Sequence, residues 1–350
     1  MRTNPLFPSV FFLLISCSLF FEAGTYAYGQ EHLSEPEMLQ GGKNVLKMIF
    51  LDLGTKGESI LVIFPNNSTM LVDGGMPSSY KILESMLKQH AISQIDVMVG
   101  THADQDHIAG LTQVLEDPDF EVEKLLISHV PSNTATYRKF LEKTAERGIV
   151  PQIVFSGHAI DIDDLVRVRV LSPPLEGISE GPNASLSNSN ALVILIEYGN
   201  ISFLLTSDAT HMTERWLVDR YDLDIDIMNG PHHGSKYSST DEFIDKVTPQ
   251  LVIFSADSDN EYGHPHKETI ERYTSRNINY HQTGTDGNII IMTDGTGCSL
   301  VLANVEQPCY AGVQTVPEFP LSVLIFAASV TFVLIATKYR HAFNRPRSNK

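Results

Sequence analysis

Residues 101–107 read Thr-His-Ala-Asp-Gln-Asp-His and contain four potential metal ligands, His102, Asp104, Asp106 and His107. Imidazole and carboxylate together suit a divalent transition ion, which polarises an oxygen or turns a bound water into a nucleophile. Loops between apolar elements draw mainly on Gly, Ser, Asn and Pro, so this run is not ordinary loop composition. It follows a strand-like segment, 95–100. A strand that ends in a tight polar loop can turn successive side chains toward one point.

Four further clusters stand at expected strand ends. Asp73-Gly-Gly75 closes a short strand at 70–72, and Thr206-Ser-Asp208 ends a hairpin of 191–197 and 201–206. His232-His233-Gly-Ser235 follows a strand at 225–228, and Asn260-Glu-Tyr262-Gly-His264-Pro265 follows one at 251–254. For Asp73 the expected role is structural, as an acceptor that holds the ligand loop. His264 is expected to orient the substrate or to act as a general acid on the leaving group. Ser235, Asn260 and Tyr262 are the expected substrate contacts.

These clusters need a scaffold of strands and helices. Apolar periodicity predicts strands at 45–53, 59–64, 123–129, 150–155, 288–292 and 299–303 besides those above. Amphipathic helices are expected at 78–90, 107–116, 134–147, 211–221, 241–247 and 267–275. Two runs of strands, each flanked by helices, favour a layered α/β sandwich over one parallel sheet with regular crossovers. The stretch 172–190, rich in Pro, Gly, Ser and Asn, reads as a loop long enough to border a site.

The chain has 350 residues, 42% of them hydrophobic and 19% charged, which is ordinary for a folded globular protein. Both ends carry something else. Residues 1–29 read as an export signal, with Arg2 ahead of an apolar run and small residues near Ala27 and Gly29. Cys17 within Leu-Ile-Ser-Cys also resembles a lipoprotein box. Residues 321–337 are nearly all apolar and are followed by Lys338, Arg340, Arg345, Arg347 and Lys350, the pattern of a membrane-crossing helix with a cytoplasmic tail. The expected body, 46–305, then lies outside the cell, bounded by linkers at 30–45 and 306–320. Cys298 and Cys309 are available to pair in an oxidising compartment, and Asn66, Asn67, Asn183 and Asn200 open glycosylation sequons. The net charge of −17, carried despite that basic tail, argues against a wide grip on nucleic acid.

Val316-Pro-Glu-Phe-Pro320 resembles the Pro-Glu-Phe sorting signal of archaeal surface proteins, which implies an archaeosortase-like enzyme that exchanges the helix for another anchor. From about Leu46 to Asp294 the chain resembles metallo-β-lactamase-fold hydrolases, and among them the hydrolase domain of ComEC-type DNA uptake proteins. The resemblance rests on Phe50-Leu-Asp-Leu-Gly54, Leu71-Val-Asp-Gly-Gly75, His102-X-Asp-X-Asp-His107, Leu204-Leu-Thr-Ser-Asp208, Pro231-His-His-Gly-Ser235 and Tyr262-Gly-His-Pro265, in that order.

It implies a four-layer αββα sandwich and two divalent ions, zinc or manganese. His102 and Asp104 would face one ion, Asp106 and His107 the other, with Asp208 bridging and His232 or His233 completing the second. Two such ions can hold a hydroxide and stabilise both attacking and leaving oxygens of a displacement. Two departures stand out. Asp104 occupies a usual His position, and Ser187-Asn-Ser-Asn190 occupies the region where a further His is expected, so the first site is oxygen-rich and leans toward manganese. Gly54-Thr-Lys-Gly-Glu58 replaces a Gly-Gln-Gly-Asp turn. The implied activity is hydrolysis of a phosphodiester, in DNA or in the cell envelope. The alternatives are lactone or acyl hydrolysis on the same ions, and a non-catalytic surface binding module.

Overall fold

In the first strand Met48 and Phe50 enter one apolar cluster, whereas Ile49 and the following Leu51 enter another. A strand buried on both faces must lie inside a layered molecule. The computed structural model describes residues 44–303 and 305–309. The expected export signal, sorting motif, membrane span and basic tail all lie outside the described residues. Among the described residues no helix is long and apolar enough to cross a membrane.

The strands are β1 (Leu46–Phe50), β2 (Ile60–Ile63), β3 (Thr69–Val72), β4 (Gln94–Gly100), β5 (Glu121–Ser128), β6 (Gln152–Val154), β7 (Val166–Ser172), β8 (Val193–Tyr198), β9 (Ile201–Leu205), β10 (Ile227–Asn229), β11 (Leu251–Phe254), β12 (Asn279–Gln282), β13 (Ile289–Thr293), β14 (Cys298–Leu302) and β15 (Val305–Pro308). They form a nine-stranded sheet, β15-β14-β13-β1-β2-β3-β4-β5-β6, and a six-stranded sheet, β12-β11-β10-β9-β8-β7. The helices are α1 (Tyr80–Gln89), α2 (Gln105–Glu116), α3 (Ala135–Glu146), α4 (Leu186–Ser189), α5 (His211–Arg220), α6 (Asp241–Val247), α7 (Lys267–Thr274) and α8 (Thr283–Asp286).

Each sheet has a parallel wing. Strands β3 to β6 run parallel, and so do β9 to β12. Parallel neighbours need crossovers, which α1, α2 and α3 supply in the first wing and α5, α6 and α7 in the second. One apolar cluster joins the facing sides of the two sheets; two others pack α1 to α3 and α5 to α7 against the outer sides. The layers are therefore helix, sheet, sheet, helix. The loops after β3, β4, β9, β10 and β11 leave the carboxyl ends of parallel strands, where open α/β sheets place their ligands.

Three strands were not expected from the sequence: β7, β12 and β15. β7 pairs with β8 at the edge of its sheet, with alternating Val166, Val168 and Val170 buried. β15 lies where a linker was expected and pairs with β14, and Cys309 just after it is disulfide-bonded to Cys298. The stretch 172–190 is mostly loop, with the short α4 at its end.

The backbones of α2 and the β3 loop meet at two glycines. A Cβ on Gly110 would stand 1.8 Å from the Gly74 carbonyl oxygen. Without side chains in the way, Gly74 N–H donates to His107 O and Gly110 N–H to Gly75 O, at 2.7 and 2.9 Å. These bonds fix the first turn of α2, which begins at Gln105 and not at His107 as expected. Asp106 and His107 thus project from a helix.

Candidate metal centre

Asp73 sits just past β3, fully buried, with a positive φ of 56°. Its carboxylate accepts from Thr101 N–H at 2.9 Å, Thr101 Oγ1 at 2.6 Å and His107 Nδ1 at 2.7 Å. With Nδ1 committed to Asp73, Nε2 is the His107 atom left to ligate a cation in the site, in place of a proton. His102 leaves the end of β4, its Nδ1 3.1 Å from Thr101 Oγ1. Asp104 is the N-cap residue of α2 but makes no side-chain cap bond; its Oδ1 instead accepts from Ser187 Oγ at 2.7 Å.

From the second wing come Asp208 after β9, and His232 and His233 after β10. Both histidines adopt left-handed backbone, with φ of 52° and 55°. Such a conformation costs on the order of 1–2 kcal/mol per residue outside glycine. It is held by bonds from His232 N–H to Ser207 O and from Ser235 N–H to His232 O, both 2.9 Å. The two rings consequently point to different sides of Asp208. Asp208 Oδ1 lies 3.3 Å from His107 Nε2 and 3.3 Å from His233 Nε2. Its Oδ2 lies 3.6 Å from His102 Nε2, 3.5 Å from His232 Nε2 and 3.0 Å from Asn188 Nδ2.

Three ligand groups emerge among the described residues: His102 with His107 and Asp208, Asp106 with His107 and His233, and Glu58 with Asp73 and His107, the last engaging the His107 nitrogen that Asp73 already holds. Within each, the ligand atoms all lie within 4.8 Å of one another. His102 Nε2, His107 Nε2, His233 Nε2 and Asp208 Oδ1 are buried without a hydrogen-bond partner. Protein interiors satisfy the great majority of such atoms, so four orphans converging on one point are the signature of a cation site. The residues present fit divalent metal. His233 Nδ1 is turned away to the Ser255 carbonyl at 2.8 Å, which aims its Nε2 inward.

Charge reinforces the arrangement. Burial opposes ionisation of Asp208, but His232, His107 and His233 outweigh it and hold the carboxyl well below the usual carboxylate range. For Asp106, burial likewise pushes upward and His107 and His233 bring it down, against the opposing charge of Asp208. His107 is lowered by burial and raised by Asp208 and Asp73, and the carboxylates win. His264 is different. Burial, with His233, His232 and His266, pushes it down to about 3, so it stands as a neutral imidazole at pH 7.

The cleft above these groups, about 210 Å³, is lined by Asp104, Asp106, Asp208, His232, His233 and His264 among others. Tyr262 lines it too, half exposed and stacked on His264 with ring centroids 5.6 Å apart. Asn260 lines the wall but is spent on its own loop, accepting from His264 N–H at 2.8 Å and donating to the carbonyls of Asp257 and His264. Ser235 is not brought to the cleft: it is buried beneath it, closing the turn after His233. Asn188, Ser187, Thr101, Ser255 and Lys56 were not singled out for the site. Asn188 had a signal in the sequence, because the Ser187–Asn190 run stands where a further histidine was expected.

The Metallo-beta-lactamase superfamily matches residues 53–255 of the chain. The chain belongs to this superfamily. Its His and Asp groups are the candidate seats of a divalent metal. It is similar to "ComE operon protein 3" of Bacillus subtilis, 30% identical over 257 residues, which cover 68% of this chain and 32% of that protein. "Recombination protein 2" of Haemophilus influenzae is 26% identical over 246 residues, 68% of this chain and 28% of that one. The chain therefore spans about a third of the length of these relatives. Among solved structures it overlays Zn(2+)-bound PqqB from Methylobacterium extorquens with a TM-score of 0.45 at 12% identity, over 67% of this chain and 97% of that one. The metallo-beta-lactamase fold protein YhfI from Bacillus subtilis gives 0.43 at 12%, over 67% and 96%.

Proposed function

We propose that this superfamily member is a phosphodiesterase that works outside the cytoplasm with two divalent ions. The observation that carries the reading is the division of Asp208, with Oδ1 facing His107 and His233 and Oδ2 facing His102 and His232. A carboxylate split in this way has one oxygen for each side of the site. On this reading Asp106, His107 and His233 would hold one ion, and His102 and Asp104 the other. His232 or Asn188 completes the oxygen-rich side, which suits manganese better than zinc.

When bound, such ions supply an activated water and neutralise the charge that develops on a displaced oxygen. Phosphoryl transfer asks little else of the protein than positioning and charge, and no side-chain nucleophile is needed. His264, held neutral, donates a hydrogen bond that orients the substrate, and Asp73 keeps His107 in the ligating tautomer. Nucleic acid is the favoured phosphodiester, because the relatives carry competence and recombination names. The Cys298–Cys309 disulfide supports an oxidising location at the outer face of the membrane.

The test is hydrolysis of bis-p-nitrophenyl phosphate by the full-length protein with manganese or zinc, beside a lactone panel. Turnover of the diester that is lost with chelator and in Asp208→Ala supports the reading. Turnover confined to lactones would replace it with acyl hydrolysis, and bound metal without either activity would leave a binding module.

A further inference from the structure

The turn Gly54-Thr-Lys-Gly-Glu58 is bonded to the candidate metal loop. Glu58 N–H donates to Asp106 O at 3.3 Å, and a Cβ on Gly57, at φ +117°, would stand 2.4 Å from that same oxygen. This contact sets Lys56 at the wall of the cleft, where it is the one cation among the described lining residues. Its Nζ donates across the cleft to Glu261 Oε1 and to Tyr262 OH, both at 3.1 Å. The partner carboxylate is 68% exposed and the lysine side chain 31%. An ion pair this open to water is weakly held, and a phosphate group of a bound substrate, fixed in the cleft by its other contacts, competes for Lys56 Nζ with Glu261 at little cost. A substrate anion can therefore take the place of Glu261.

We propose that Lys56, steadied by Tyr262, binds a second phosphate of the substrate, one nucleotide away from the one being cleaved. The site then selects polyanionic phosphodiesters, such as a nucleic-acid strand, over an isolated diester. Acidic Asp104, Asp106, Asp208 and Asp257 line the rest of the cleft, so no other side chain there offers a positive charge to such a group. The proposal rests on the phosphodiesterase reading above.

Its test compares thymidylyl-thymidine with the same dinucleotide carrying a terminal phosphate at the 5′ or 3′ end, on the full-length protein with manganese. One phosphorylated form is expected to show kcat/KM about tenfold higher, through KM, matching one charge-assisted bond. The preference should vanish in Lys56→Ala, survive in Lys56→Arg and grow in Glu261→Gln. Equal kcat/KM on all three in the wild type, or an equal loss on all three in Lys56→Ala, would overturn it. Should no dinucleotide be hydrolysed, bis-p-nitrophenyl phosphate turnover still decides the phosphodiesterase reading, and calorimetric binding of the same three compounds decides the role of Lys56. Tighter binding of a phosphorylated form that Lys56→Ala abolishes upholds the clamp; equal binding sinks it.

Discussion

Replacing Asp73 by Asn should weaken metal binding at the proposed centre, although none of the residues assigned to hold its two ions is removed. The wild-type carboxylate takes three donors on two oxygens: Thr101 N–H on Oδ1, and Thr101 Oγ1 with His107 Nδ1 on Oδ2. Asn retains one oxygen. If that oxygen stays with the Thr101 amide, the new NH2 faces His107 Nδ1, which can accept only by moving its proton to Nε2, the atom aimed at the metal. If the amide is reversed, an N–H of Asn meets the Thr101 N–H inside a fully buried pocket. Either way at least one charge-assisted bond of about 1.5–3 kcal/mol is lost. Loss of such an orienting partner commonly lowers metal affinity about 10–100-fold, which converts to roughly 1.4–2.8 kcal/mol. Chelator competition would read the affinity directly, and denaturant unfolding in excess metal and in excess chelator would read the linkage. The variant should be destabilised in both, and by more in metal. Unchanged affinity, with the same destabilisation in metal and in chelator, would refute the claim that Asp73 acts through His107.

Gly110→Ala should cost more than about 3 kcal/mol, since its Cβ meets a backbone oxygen that cannot rotate away; soluble yield and unfolding midpoint report it. Burial, opposed by the Thr240 and Ser239 amides and by Arg272, holds the Glu214 carboxyl up at about 7, against 4.5 when unfolded. A raised acid favours the folded state below pH 4.5 and loses that contribution as pH rises through 7, by roughly 3 kcal/mol. Urea unfolding across this window should show wild type falling relative to Glu214→Gln, and parallel curves would contradict the assignment. Serine at both Cys298 and Cys309 should lower stability by about 2–3 kcal/mol through loop entropy. Metal content should be unaltered, because this disulfide staples the outer edge of the nine-stranded sheet.

Much of the fold was legible because apolar periodicity is strong where strands are buried on both faces, as in β1, β4 and β11. β12 escaped because Asn279–Gln282 carries no buried apolar residue; it is a strand by its parallel pairing with β11 alone. β7 carries a Val-Arg-Val-Arg-Val alternation legible in the sequence, whereas β15 depends on a hairpin with β14 and on the disulfide beside it. For the site, residue types and strand-end positions pointed to the His and Asp set. Which ring faces which oxygen of Asp208 was not readable, because it follows from two consecutive left-handed residues at His232 and His233. Ser235 looked available beside them, yet that same turn carries it inward. Lys56 and Asn188 reach the cleft only through tertiary folding, from a turn and from the short α4, both far from His102 in sequence.

Elemental analysis of the purified full-length protein, read beside its Asp208→Ala and His107→Ala variants, bears most directly on the bridged metal centre. Two equivalents of manganese or zinc in the wild type, falling below one in both variants while each remains folded, is the predicted result. A folded wild type with no tightly bound divalent metal would contradict the account.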